Sequence, residues 1–467
     1  MLAFAVFVIR RFCFRKAGRL FCWHCFYKEK TMANNQHDHI SCPSSSCIGC
    51  ATRCHRQQND PFSRDEALAI LFDQAKFELA KEFVPLNEAL GRVTSEPTYA
   101  AFSVPSADTA QHDGIMVNWE QAKKLLESGS RVLTEHEFCL RAMGAVIEPP
   151  FDTVIPLEQV KHWTDGRVEI KALPAPGQGI KGAGSSIREG ERLVPANYRL
   201  NPAHLSILRF AGVETVTVWK KPKAAIIPVG DDLVAPGCRP GPGQVVESDS
   251  ILLAGILREC GGEAWTEPVA GDGVDLIGQA ILQVISRCDV LILIGGIGRS
   301  GARYGDYTVQ VVEKLGRVLV QGMGFNPGGK AMLLAEIQGK CVVGIPAPPH
   351  AALTQAEQYL PVIMERFLGC PCYERPEIKA RLHEDYQSGI RSGRHAHVGL
   401  RWTGEDYEIV PIRMGDTVDC FVNATGILME EAEDRLLKKG EPAAVRLLCG
   451  EKTLRQRSQT GQDNPTG

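Results

Sequence analysis

The chain has 467 residues, too many for one ordinary core, so two to four domains are expected. Hydrophobic residues make up 44% and charged residues 23%, the balance of a soluble globular protein. A formal net charge of -3 gives no electrostatic ground for a nucleic-acid partner, and no apolar run is long enough to span a bilayer.

Residues 1–31 are apolar and basic, unlike the rest of the chain. In a signal peptide the positive charges precede the apolar stretch, whereas here Arg10 and Arg11 come after it. The expectation is that the protein starts at Met32 and that residues 1–31 are a non-native extension; a short membrane-surface anchor is the competing reading. In the next segment, 32–60, Cys42, Cys47, Cys50 and Cys54 have the spacing C-x4-C-x2-C-x3-C. Four thiolates this close suit an iron–sulfur cluster or tetrahedral zinc. The flanking Pro43, Ser44, Ser45 and Ser46 suit a disordered tail equally well. Of the 16 cysteines, those outside the first 54 residues are scattered without regular spacing. They read as reduced and buried, which places the chain in the cytoplasm.

Ser63 and Glu66 form a capping-box pattern ahead of ALAILFDQAKF. PLNEAL predicts a second short helix ending at Gly91. Residues 102–190 carry short strand patterns and one helix near Glu120 to Ser128, and predict a β-rich subdomain. Asn201 at N-cap, Pro202 at N1 and Gly212 at C′ bracket a helix, so 61–101 and 191–222 read as a helical linker and dimerisation region. An α/β domain with a parallel-type sheet is predicted over 223–370. Its helices start with Asp249 or Ser248 as cap, then run over Val274 to Ser286, Asp306 to Leu315 and Ala351 to Leu368. Residues 371–450 return to alternating short strands and predict a small β domain; 451–467 read as a disordered tail.

In the α/β stretch four buried, strand-like runs stop at polar, glycine-rich loops. AAIIPVG enters GDDLVAPG. DVLILIGG enters GGIGRSGARYGDYT. RVLVQGMG enters FNPGGK, and GKCVVGIP enters PAPPH. Loops at strand C-termini of an open α/β sheet line one crevice, where ligands bind. Asp231, Asp232, Asp306 and Lys330 are thereby expected around one pocket suited to an anionic, metal-associated ligand.

Several further motifs repeat a known order. They are PLNEALGRV at Pro85 to Val93, VPSADTAQHDGI at Val104 to Ile115, and GDDL at Gly230 to Leu233. GPGQ at Gly241 to Gln244 comes next, with Glu247 shortly after, then Gly295 to Tyr307, Asn326 to Lys330 and Gly344 to Pro349. Their order and spacing resemble the molybdopterin molybdenumtransferase (molybdenum insertase) family over about Ser63 to Leu448. The resemblance implies a homodimer, with the active site between the α/β domain of one subunit and the β subdomain of the other. It also implies a reaction: molybdate and adenylylated molybdopterin are taken up, the metal is placed on the dithiolene and AMP leaves, with magnesium assisting. A molybdenum enzyme would then be the acceptor of the product.

On that resemblance Asp113, Asp306 and Lys330 are the catalytic candidates. Asp113 would reach across the dimer, Asp306 would orient metal or phosphate as well as cap a helix, and Lys330 would neutralise oxyanion charge. The N–H groups of Gly295, Gly296 and Gly298 would approach pterin or phosphate, with Asp231 and Arg299 beside them. Asp232 and Glu247 would hold magnesium through water. This sequence departs from the family at Met143 to Ala145, Gly182 to Ile187, Asn326 and Ala347 to His350, losing charged and hydroxyl groups. An insertase, for molybdenum or for tungsten, is one reading; a binding protein that carries or senses the cofactor is the other.

Overall fold

The computed structural model describes residues 15–16, 19–20, 62–162, 165–297, 307–323, 329–372, 375–387, 394–413, 418–428, 436–450 and 454. Cys42, Cys47, Cys50 and Cys54 lie outside them, as do Gly298, Arg299, Asp306 and the side chain of Lys330.

Helix α1 (Arg64–Gln74) starts as the sequence implies. The Ser63 side chain accepts from the Glu66 N–H while Glu66 reaches back to the Ser63 N–H. Its buried Ala67, Leu68 and Leu71 join the core of the α/β domain rather than a separate linker region. PLNEAL does not make a helix. Strand β1 (Lys81–Pro85) runs into a single 3-10 turn at Leu86–Glu88, and Gly91 turns the chain at φ 73°. Three residues cannot repay the cost of a helical nucleus, and Val84 and Leu86 are buried instead against a strand partner.

The β subdomain centres on β2 (Gly114–Val117). After helix α2 (Trp119–Glu127), strands β3 (Phe138–Arg141) and β4 (Thr153–Pro156) flank β2 on either side, both antiparallel. Ile115, Val117, Ala122 and Ile155 close its core. Helix α3 (Pro202–Phe210) carries the expected caps: Asn201 accepts from the His204 N–H, and Gly212 has φ 82°. Strand β5 (Thr215–Trp219) then pairs with β1 over five residues. The segments 61–101 and 191–222 are therefore joined by an antiparallel ribbon as well as by helix.

Strand β6 (Lys223–Pro228) opens the central sheet. Helix α4 (Asp249–Glu259), β7 (Glu263–Thr266), α5 (Val274–Val284), β8 (Val290–Ile294), α6 (Tyr307–Leu315) and β9 (Arg317–Gln321) succeed it. Then come β10 (Leu333–Ile337), β11 (Lys340–Ile345) and α7 (Pro349–Leu368). The strand order is β7-β6-β8-β11-β10-β9. β10 is antiparallel to both neighbours, so β9 runs the same way as β6, β8 and β11. Strand β10 has no counterpart among the elements expected from the sequence, and the sheet is mixed rather than parallel throughout. Alternation divides the apolar load between two faces. Val290, Ile292 and Ile294 pack with α1, α4 and α7, whereas Leu291 and Leu293 pack with α5 and α6.

Beyond α7 the chain forms a closed barrel from β12 (Glu377–Leu382), β13 (Arg394–Trp402), β14 (Tyr407–Arg413), β15 (Gly426–Leu428) and β16 (Pro442–Leu447). Its order is β12-β14-β13-β15-β16, and closure leaves no long edge for aggregation. Among the described residues no helix is long and apolar enough to cross a membrane.

Candidate functional site

The C-terminal ends of β6, β8 and β11 lie level with one another. Pro228 pairs with Ile294 and Ile294 with Ile345. Ladder bonds continue past the strand ends, with the Val229 N–H donating to the Ile294 carbonyl (2.8 Å) and the Gly295 N–H to the Ile345 carbonyl (3.0 Å). These bonds carry three polar loops to the same edge, as expected for the crevice of an open α/β sheet.

Gly295 and Gly296 both have positive φ, 89° and 64°. A Cβ on Gly295 would stand 2.6 Å from the Val229 carbonyl oxygen, and one on Gly296 would run into the Thr308 hydroxyl. Glycine is thus demanded twice, by conformation and by space. Buried Thr308, on the first turn of α6, donates to the Gly295 carbonyl at 3.0 Å and ties loop to helix. The Gly295 N–H, read from sequence as a ligand donor, is taken by Ile345 and serves the sheet.

Asp231 meets a residue that sequence alone does not point to. The Asp272 N–H donates to Asp231 Oδ1 at 2.9 Å, and the Asp231 N–H donates to Asp272 Oδ2 at 3.3 Å. This reciprocal clasp joins the loop after β6 to the loop before α5. Gly273 marks the start of α5, but nothing near it in the sequence marks Asp272 as the partner of Asp231. Asp232 is exposed in the same loop, and its carbonyl accepts from the Val245 N–H at 2.9 Å.

Glu247 departs from its expected role. Its Oε1 accepts from the Ser250 N–H at 2.7 Å and its Oε2 from the Ser250 hydroxyl at 2.5 Å, and the residue is buried. It therefore caps α4, the task assigned from sequence to Ser248 or Asp249; Ser248 makes no side-chain cap bond. Both carboxylate oxygens of Glu247 are thus engaged by Ser250. Among the described residues no group of three His, Cys, Asp or Glu side chains is arranged to hold a metal ion. Asp249 is buried beside Glu247. Burial first, and the Glu247 charge second, push its carboxyl up to about 7.

Asp113 lies at the start of β2, exposed, on the β subdomain. Its Oδ1 accepts from the Met143 N–H at 2.7 Å, and its carbonyl accepts from the Leu157 N–H at 3.1 Å. The neighbouring loops are held similarly. Asp108 accepts from the Ala183 N–H at 2.7 Å, and the Ser186 N–H donates to the Val104 carbonyl at 3.0 Å. Backbone groups of Met143 to Ala145 and Gly182 to Ile187 thus support the loop around Asp113 even where their side chains are reduced. Lys330 falls in a 3-10 turn, Gly329–Ala331, after β9 at the crevice edge. His350 stands in the first turn of α7, and burial pulls its imidazole below the usual range.

Residues 62–212 match a family described as MoeA N-terminal region (domain I and II), and residues 225–365 match one described as probable molybdopterin binding domain. A molybdopterin molybdenumtransferase of Haemophilus influenzae is 25% identical over 323 residues, covering 67% of this chain and 79% of that protein. One from a Nostoc species is 27% identical over 337 residues, covering 66% and 74%. Among solved structures, a molybdopterin biosynthesis MoeA protein from Pyrococcus horikosii aligns with a TM-score of 0.72 and 28% identity. That alignment covers 84% of this chain and all of the other.

Proposed function

The chain belongs to the MoeA-like family, and from that premise we propose that it is a molybdopterin molybdenumtransferase acting in molybdenum cofactor biosynthesis. Its substrates in this reading are molybdate and adenylylated molybdopterin. Molybdenum is placed on the dithiolene sulfurs, the pyrophosphate bond is cleaved and AMP leaves. The observation that carries the reading is the coincidence of the crevice with the matched region. Asp231, Asp232, Gly295, Gly296 and Lys330 all fall within residues 225–365, on loops at one sheet edge.

The roles come from the chemistry of these groups. Gly295 and Gly296 take the positive φ that turns the loop tightly at the crevice edge, where a pterin or phosphate would lie. The Asp231–Asp272 clasp holds two crevice loops in place before substrate arrives, so less ordering is lost on binding. Lys330 supplies a point cation for phosphate or molybdate. Arg299 and Asp306, in the glycine loop, would add a cation and a carboxylate. Asp113 is held by Met143 in a fixed direction, which suits a group presented to the α/β domain of a second copy in a homodimer. Magnesium assistance fits poorly with Glu247, whose carboxylate is occupied. Asp232 is an exposed carboxylate in the loop after β6, and magnesium commonly takes few protein ligands beside substrate phosphates.

The test is AMP release. Purified protein with magnesium, molybdate and adenylylated molybdopterin is expected to release AMP, detected by chromatography. Tungstate in place of molybdate reports the oxyanion preference. No AMP with either oxyanion would sink the transferase reading; tight pterin retention without turnover would instead support a cofactor carrier. That second reading draws on the charged groups missing at Gly182 to Ile187 and at Asn326.

A further inference from the structure

Three thiols meet at one seam away from the crevice. Cys260 closes the C-terminal end of α4 and is fully buried; Cys370 and Cys372 come after α7 and are 8% and 4% exposed. Gly369, at φ 68°, turns the chain out of α7. The Cys372 N–H then donates to Glu365 Oε1 at 3.1 Å, and its thiol to the Pro361 carbonyl at 3.3 Å. These bonds fold the Cys-Pro-Cys segment back along α7 and set Cys372 in the buried core that also holds Cys260.

Arg199 clamps this seam from the first half of the chain. Its guanidinium donates to the Gly91 carbonyl at 3.0 Å, the Cys260 carbonyl at 3.2 Å and the Pro371 carbonyl at 3.5 Å, with Nη2 4.0 Å from Cys370 Sγ. Its Nε is buried without a hydrogen-bond partner. The α4 end and the Cys-Pro-Cys segment are thereby held on one guanidinium. Two buried thiols whose backbones are pinned to one guanidinium are placed to close to a disulfide length of about 2.0 Å.

We propose that Cys260 and Cys372 are a disulfide-forming pair, an oxidation site that fastens the end of α4 to the segment leading into the barrel. The oxidant is a hydroperoxide. Its distal oxygen transfers to the Cys372 sulfur, giving a sulfenic acid and releasing an alcohol. The Cys260 sulfur then attacks that sulfur, the S–S bond forms and water leaves with the thiol proton. The two thiols lose two electrons in all, and the peroxide gains them. The Cys260 thiol and burial together hold the Cys372 thiol far above its ordinary range, so little thiolate is present. Cross-linking is therefore slower than oxidation of exposed Cys238.

The full chain, fully reduced, is treated with cumene hydroperoxide, alkylated, digested without reductant and mapped by mass spectrometry. The expected product is one peptide pair joined through Cys260 and Cys372, lighter by two hydrogens, appearing after Cys238 has reacted and reversed by dithiothreitol. Cys370→Ser keeps the cross-link. Cys260→Ala loses it and leaves Cys372 open to alkylation after denaturation. The oxidised chain melts several degrees above the reduced one, a rise absent from Cys260→Ala. Recovery of both residues as alkylated thiols after Cys238 is consumed would overturn the proposal, and so would a Cys370–Cys372 pairing. Because the mapping is done on the wild-type chain, it decides the matter even where a variant fails to fold.

Discussion

At the scale of single residues, the main lesson concerns neighbouring carboxylates. Glu247 and Asp249 sit two positions apart at the start of α4, yet one accepts two hydrogen bonds and the other is pushed up to about 7. An unfolded Asp titrates near about 4, so the folded chain keeps a proton between about pH 4 and about pH 7 that the unfolded chain releases. This group's contribution to stability is full below that window and is lost as pH rises through it. The expected result is a urea midpoint that falls between about pH 4 and about pH 7 more steeply in wild type than in Asp249→Asn. Equal falls would remove Asp249 as the cause. Asp113 supports a second prediction. Asp113→Ala deletes an exposed carboxylate bonded to one backbone N–H, so melting should shift little while AMP release drops at least about tenfold, as for an interaction made in the transition state. A matching loss of fold would return Asp113 to a turn role.

Elements show where local pattern sufficed and where packing overruled it. The capping boxes of α1 and α3 involve residues three apart, so they could be read from spacing alone. Ser63→Ala is expected to cost about 1 kcal/mol in chemical denaturation. PLNEAL and β10 could not be so read. The first has helical residues but pairs a strand beside it, and the second, MLLAEIQ, carries no turn signal that separates strand from helix. Strand β8 makes the strongest packing statement. All five residues are buried, and Ile292→Ala should cost roughly 2–5 kcal/mol, read from the shift of the denaturant midpoint at constant m. Gly295→Ala should destabilise by more than about 1 kcal/mol, since it combines a positive φ with a carbonyl in the way.

For the whole molecule, the open question is assembly. The unit built from β1, β5 and α3 exposes Phe83 (79%), Leu90 (58%) and Phe210 (55%) around a well-packed interior. Large apolar side chains left in water on one small unit suit the second copy that the proposed site requires. Sedimentation is expected to find a dimer, and Phe83→Asp to weaken it and lower AMP release together. A monomeric wild type with full turnover would separate the site from the assembly.

Much of this protein was legible in its sequence for a physical reason: short-range patterns report short-range forces. Alternation marked the buried strands, caps marked α1 and α3, and glycines marked Gly295 and Gly296 where backbone must turn tightly. The family could be read from motif order along the chain. Two pairings depended on the fold. Asp231 found Asp272, forty-one positions away. Cys260 met Cys372 because two helix ends converge on Arg199. Neither of these pairings leaves a local mark, because each partner is chosen by how the chain closes in space.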